Sequence, residues 1–248
     1  MSRKFFLFSI FLMVAAVVFP QTAAELLRQI DNNEIYATIE YEGDIIIEHS
    51  GRRFVKTMKA WGRGNTHSFI EFTNPEDRGT RYLRRDGRLW VYSPDNEGVM
   101  PISGHMLRES MMGSDMSYED TINNESLSSR YNPVLAGSET VSGPGGGREA
   151  WVLDLSAKKK TESYPKQKLW IDKENGDLLR SEQFALSGAK LKEYSLIRVE
   201  VIGGRRFPIE GEMRDLLRKD SRTTFVMRNV VLDKPIPDSV FSMRNLER

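Results

Sequence analysis

The chain has 248 residues, of which 39% are hydrophobic and 29% charged, with a formal net charge of +1 and no cysteine. That balance excludes a disordered tail, and the missing cysteine excludes a disulfide framework, a thiolate metal site, a thiol nucleophile and lipid attachment through sulfur. A charge this close to zero offers no electrostatic ground for binding nucleic acid or a strongly anionic membrane.

Residues 1–24 differ in kind from the rest. Arg3 and Lys4 precede an apolar run over 5–19, followed by Pro20 and the small-residue stretch Thr22-Ala23-Ala24. A basic start, a short apolar core and small residues at the end form the pattern of a secretory signal. The run is shorter than the roughly 20 residues a membrane-spanning helix needs. Cleavage before Glu25 puts Thr22 and Ala24 at positions −3 and −1. The cleaved chain loses two positive charges and no negative one, and is expected to be soluble. Residues 25–248 show no composition shift and no internal repeat, and read as a single domain.

Residues 23–33 (AAELLRQIDNN) predict a short amphipathic helix, with Leu26, Leu27 and Ile30 on one side and Glu25 in the first turn. From Tyr36 the apolar period changes to two. Ile39, Tyr41, Ile45 and Ile47 alternate with polar residues, and Ser50-Gly51 turns the chain into a second strand over 54–61. Strands over 67–73, 79–85 and 88–93 follow, the last two joined at Asp86-Gly87. Such short connections make these strands antiparallel, because parallel pairs need long crossovers. In the strand over 88–93, Leu89 and Val91 oppose Trp90 and Tyr92, so its inward face stays open.

Residues 99–128 carry few strand signals and read as a helical, methionine-rich lid containing Met100, Met106, Met111, Met112 and Met116. Gly113-Ser114-Asp115 interrupts it. Ser114 or Asp115 can bond free helix amides, and Ser117-x-x-Asp120 is a capping-box pattern. Strands resume over 134–141, 149–155, 164–171, 178–186, 191–201, 207–217 and 223–232. The sum is about eleven strands in an up-and-down meander broken once by the lid. This is a mainly β chain, expected to form a strongly curved sheet or incomplete antiparallel barrel.

The motifs leave little room for catalysis. His49, His67 and His105 are scattered without metal-binding spacing. Asp115, Glu119 and Asp120 lack a liganding histidine, and acidic residues suit a helix start in any case. No Gly-x-Ser-x-Gly elbow occurs, and Ser114 and Ser117 have no identifiable base. We therefore expect no catalytic residue, no metal and no cofactor.

Several blocks resemble one family. Pro75-Glu76-Asp77-x-Gly79-Thr80-x-Tyr82-Leu83, Leu89-Trp90-Val91-Tyr92-x-Pro94 and Met112-Gly113-Ser114-Asp115-x-Ser117-Tyr118-Glu119-Asp120 look like the outer-membrane lipoprotein-sorting proteins, the LolA-like periplasmic carriers, in the branch found beside exporters. Tyr164-Pro165 to Leu169-Trp170-Ile171-Asp172 and Pro237-Asp238-x-x-Phe241 extend the resemblance over nearly all of residues 25–248. It implies an unclosed antiparallel β-barrel covered by short helices, and a non-enzymatic, monomeric periplasmic carrier. The carrier would bind acyl chains of lipoproteins or another lipid, and meet an inner-membrane transporter and an outer-membrane acceptor. Two other readings stand beside it: a lipid-binding accessory of an inner-membrane exporter, and a ligand-free structural envelope protein.

An acyl cavity needs an apolar concave face and a cover that can move. Each buried CH₂ contributes about 0.8 kcal/mol without directional contacts, and methionine repacks around variable ligands. Clear alternation selects Ile45, Ile47, Phe54, Met58, Ile70 and Phe72 as ligand-facing, with Met106, Met111, Met112 and Met116 on the lid. Gly113, Ser114, Asp115, Ser117 and Asp120 are expected to cap or hinge it. The same methionines would serve equally as plain core beneath a surface helix.

Overall fold

Thirteen strands hydrogen-bond into one antiparallel sheet in a computed structural model. The structure describes residues 21–33, 35–96, 98–122, 125–143 and 146–248. The apolar run assigned to the secretory signal lies outside them.

Helix α1 (Ala23–Asn33) buries Leu26, Leu27 and Ile30, as its periodicity predicts. Glu25 does more than favour the helix dipole. Its carboxylate accepts from the Thr22 N–H (2.8 Å) and hydroxyl (2.9 Å), and the Glu25 N–H donates back to the Thr22 oxygen (3.2 Å). This is a reciprocal cap. Cleavage before Glu25 would remove half of it.

Strands β1 (Thr38–His49), β2 (Arg52–Arg63), β3 (His67–Phe72), β4 (Arg81–Arg85), β5 (Arg88–Ser93) and β6 (Gly98–Ile102) follow as a meander. Asp86 and Gly87 both take positive φ, 52° and 74°, as the tight β4–β5 turn demands. Residues 103–130 then carry the chain to the opposite edge of the sheet. Strands β7 (Tyr131–Gly143), β8 (Gly146–Ala157), β9 (Lys166–Asp172), β10 (Leu178–Phe184), β11 (Lys190–Ile202), β12 (Arg205–Asp215) and β13 (Ser221–Leu232) return from there, and β13 pairs with β1. The order is β6-β5-β4-β3-β2-β1-β13-β12-β11-β10-β9-β8-β7. β6 and β7 are the two free edges, so the barrel is unclosed. Each edge strand carries a proline, Pro101 or Pro133, which lacks the N–H that a further strand would bond.

The count of about eleven strands therefore rises to thirteen. One of them, β6, lies in the stretch read as lid, where Met100 and Pro101 disguise an edge strand. The rest of that stretch is less helical than expected. It comprises short 3₁₀ turns at Gly104–Arg108 and Met111–Gly113, then α2 (Tyr118–Ile122) and α3 (Leu127–Arg130). Met112 sits in the left-handed region at φ 53°, and Gly113 follows at φ 80°. Repeated reversals at these residues prevent a continuous helix.

Both faces of the sheet are covered, by different segments. On the concave face the lid packs over β1–β6, while α1 and α3 pack over β7–β9. Leu26, Leu27 and Ile30 meet Tyr131, Leu153, Leu155, Leu169 and Ile171 there. Burying side chains of this size stabilises by about 2 kcal/mol each. On the convex face the carboxy-terminal tail and α4 (Met243–Leu246) press Phe241 and Leu246 onto Phe69 and Leu83. β5 is sandwiched between the two covers. Leu89 and Val91 face the lid, while Trp90 and Tyr92 face the tail. Among the described residues no helix is long and apolar enough to cross a membrane.

Candidate functional site

The lid rests on the concave face through apolar contact. Met106, Leu107, Met111, Met112 and Tyr118 cover Ile45, Ile47, Met58, Ile70, Phe72, Tyr82, Leu89, Val91 and Ile102. The Tyr82 hydroxyl lies 3.1 Å from Met112 Sδ and 3.3 Å from the Tyr118 hydroxyl, and its ring meets Phe72 edge-on. Burial, reinforced by the Tyr118 contact, pushes the Tyr82 hydroxyl well above the usual phenol range.

Eight of the ten side chains expected to face a ligand thus belong to one packed cluster: Ile45, Ile47, Met58, Ile70, Phe72, Met106, Met111 and Met112. Phe54 stands opposite Ile47 on β2 but is 49% exposed, beyond the lid's reach. Met116 is half-buried and its backbone pins the lid turn, its carbonyl accepting from the Met111 N–H (2.8 Å).

Two polar anchors hold the lid down. Asp115, 1% exposed, accepts from the Thr223 hydroxyl (2.6 Å) and the Asp215 N–H (3.1 Å), while its own N–H donates to Thr223 Oγ1 (2.9 Å). Its carboxylate therefore ties the lid to β12 and β13 instead of capping a helix. Arg218, in the β12–β13 turn, adds bonds from Nη1 to the Ser114 (2.5 Å) and Gly113 (3.0 Å) carbonyls. Ser114 Oγ donates to the Met111 carbonyl (2.7 Å).

The second anchor is Asp120. Ser117 and Asp120 form the reciprocal capping box that their spacing predicts, with Ser117 N–H to Asp120 Oδ2 at 2.7 Å and Asp120 N–H to Ser117 Oγ at 3.2 Å. The same carboxylate receives Lys192 Nζ from β11 (2.5 Å) and the Tyr164 hydroxyl (2.7 Å). Burial and the Asp120 charge together push the Tyr164 hydroxyl up.

Sequence reasoning missed the distant partners Thr223, Arg218, Tyr164 and Lys192. Lys192 left one signal, a lysine at an inward position of β11 ahead of Tyr194 and Leu196. Asp115, Glu119 and Asp120 do not converge, and no group of three or more potential metal ligands occurs among the described residues.

Between the lid and the α1–α3 cover lies a cavity of about 740 Å³. This is within the range of small-molecule sites. Its floor spans the central strands through Ile39, Tyr41, Phe207, Met227 and Leu169, and its roof is built from Asp31, Asp120, Ser126, Leu127 and Arg130. Asp31 holds that roof by accepting from the Leu127 (2.7 Å) and Ser128 (3.0 Å) N–H groups. Arg130 is neutralised by Glu162, 2.6 Å away. Gln167, Ser181 and Gln183 make one end polar, and Gln183 Oε1 is buried without a hydrogen-bond partner. Of the residues singled out from sequence as site residues, only Asp120 borders this space.

A family model described as an uncharacterized protein-like family matches residues 64–248, three-quarters of the chain. The chain belongs to that family. Solved structures share its architecture. A DUF1329 family protein from Desulfovibrio piger superposes with a TM-score of 0.81 at 25% identity, over 90% of this chain and 97% of that one. An outer membrane lipoprotein-sorting protein domain from Vibrio parahaemolyticus gives 0.78 at 18% identity, over 91% and 98%. A LolA superfamily protein from Nitrosomonas europaea gives 0.74 at 20% identity, over 92% and 100%. The fold is therefore LolA-like, as the sequence resemblance implies. No curated protein matches the sequence.

Proposed function

We propose that this protein is a non-enzymatic carrier of acyl lipid in the periplasm, reached through the amino-terminal signal. The carrying observation is the partly open cavity of about 740 Å³ between two covers on the concave face of an unclosed sheet. One cover is small, rich in methionine and fixed by few polar anchors. The cavity would receive the first part of an acyl chain. Lifting the lid would add Ile45, Ile47, Met58, Ile70 and Phe72 as a continuous apolar floor, with Met106, Met111, Met112 and Met116 repacking around the chain. Gly113, Ser114, Asp115, Ser117 and Asp120 would govern that movement. At about 0.8 kcal/mol per CH₂, a chain of a dozen methylenes gains roughly 10 kcal/mol before ordering costs. That supports a site needing few directional contacts.

The fold shared with the lipoprotein-sorting domain from Vibrio supports lipoprotein as cargo; on this reading it would pass from an inner-membrane transporter to an outer-membrane acceptor. Solvent extraction of the purified protein, followed by mass spectrometry and displacement of a fluorescent fatty acid, tests the reading. Recovered acyl lipid and displacement support it. Failure of both with folded protein overturns it. Co-purification with a lipoprotein, as opposed to free lipid, separates sorting from service to an exporter.

A further inference from the structure

Arg84 is the least expected side chain on the concave face. It is 5% exposed, and its Nη2 donates to the Asn65 carbonyl, while Nε and Nη1 are buried without an acceptor. Burial pulls its pKa down, and the opposing influence comes from the Tyr36 hydroxyl, not from a carboxylate. Holding a guanidinium away from water without an anion costs several kcal/mol. The two groups beside it, Asn65 and Tyr36, both line the cavity. Arg130, which lines the cavity, is committed to Glu162, and Lys192 behind it to Asp120.

We infer that Arg84 is an anion receptor at the Tyr36–Asn65 end of the cavity, taking the carboxylate or phosphate of an acyl amphiphile whose chain lies in the cavity. This rests on the acyl-carrier reading and narrows its ligand to an acidic lipid. A planar guanidinium with free N–H groups matches both oxyanions, and ion-assisted bonds in a water-poor site are the strong ones. Movement of Tyr36 and of the turn at Gly64 and Asn65 opens the wall to the headgroup.

The test measures displacement of a fluorescent fatty acid by palmitate, hexadecyl phosphate and the neutral monopalmitoylglycerol, on the full mature protein and on Arg84→Met and Arg84→Lys. The inference expects both anions to bind at least ten-fold tighter than the neutral lipid. Arg84→Met should erase that preference, and Arg84→Lys should retain part of it. A preference for hexadecyl phosphate over palmitate assigns a lipid phosphate, and the reverse assigns a fatty acid. Neutral lipid binding as tightly as the anions to the unsubstituted protein overturns the role of Arg84 and leaves the carrier reading standing. No binding of any of the three overturns both.

Discussion

Replacing Thr223 with valine tests how the lid is held. Thr223 is fully buried and its hydroxyl makes two bonds to Asp115, donating to the carboxylate at 2.6 Å and accepting the Asp115 N–H at 2.9 Å. Valine keeps the shape and removes the hydroxyl, so both Asp115 groups lose this partner. A bond to a charged acceptor is worth about 1.5–3 kcal/mol and a neutral one about 0.5–1.5. The loss should be about 2–4 kcal/mol. Because the contact exists only with the lid down, the lifted population should rise roughly 30- to 700-fold at 1.4 kcal/mol per decade. Arg108 is an exposed tryptic site within the lid segment. Native-state trypsin cleavage after Arg108 should accelerate within that range, and the urea midpoint should fall with an unchanged slope. Cleavage and midpoint both matching the unsubstituted protein would refute the claim that Asp115–Thr223 anchors the lid.

Asp120→Asn leaves Lys192 buried without its charge partner and should cost about 3–5 kcal/mol, whereas Ser117→Ala removes only one side of the cap and should cost about 1 kcal/mol. Chemical denaturation ranks the two, and equal losses would contradict the shared role of Asp120. Burial raises the hydroxyl pKa of Tyr41, Tyr82 and Tyr164 above the unfolded value of about 10. Their contribution is complete below pH 10 and is lost above it, by about 1.4 kcal/mol per pH unit per tyrosine. Urea midpoints at pH 9, 10 and 11 should fall accordingly, less steeply in Tyr164→Phe, and a flat profile would contradict the burial of these hydroxyls. A chain beginning at Glu25 should be at least about 1 kcal/mol less stable than one beginning at Gln21, because it lacks the Thr22 half of the α1 cap and the first residues of α1, among them Ala23, which packs on the same cluster. Thermal melts of the two forms compare them directly. Phe72→Ala should cost about 3–5 kcal/mol, measured by denaturant unfolding, since Phe72 is wholly buried beneath the closed lid.

The elements most legible in the sequence were those whose two faces differ in polarity. α1 shows a single apolar stripe, and β1 alternates because the lid covers one of its faces while the other carries charge. β5 gave no such signal, since lid and tail bury both its faces and all four side chains from Leu89 to Tyr92 are apolar. β6 was hidden for a different reason, as an edge strand tolerates Met100 and Pro101. The lid's chemistry was legible where partners are three residues apart, as in Ser117 and Asp120. It was illegible where they are far apart, as between Asp115 and Thr223. The cavity is not legible in the apolar pattern, because the most apolar inward positions are those that close on the lid. The open space lies where inward positions turn polar, at Gln167, Ser181 and Gln183.

The crossing from β6 to β7 restricts how the molecule can open. Residues 103–130 join the two free edges of the sheet, so the cover is moored at both shores and cannot swing like a door on one hinge. Freed from Thr223 and Lys192, its middle can only arch upward, and lengthening that arch draws on slack at its moorings beside β6 and β7. A ligand that widens the trough would pull those edges apart and tighten the arch. On the carrier reading, filling would then work against covering, and a loaded molecule would be biased toward release.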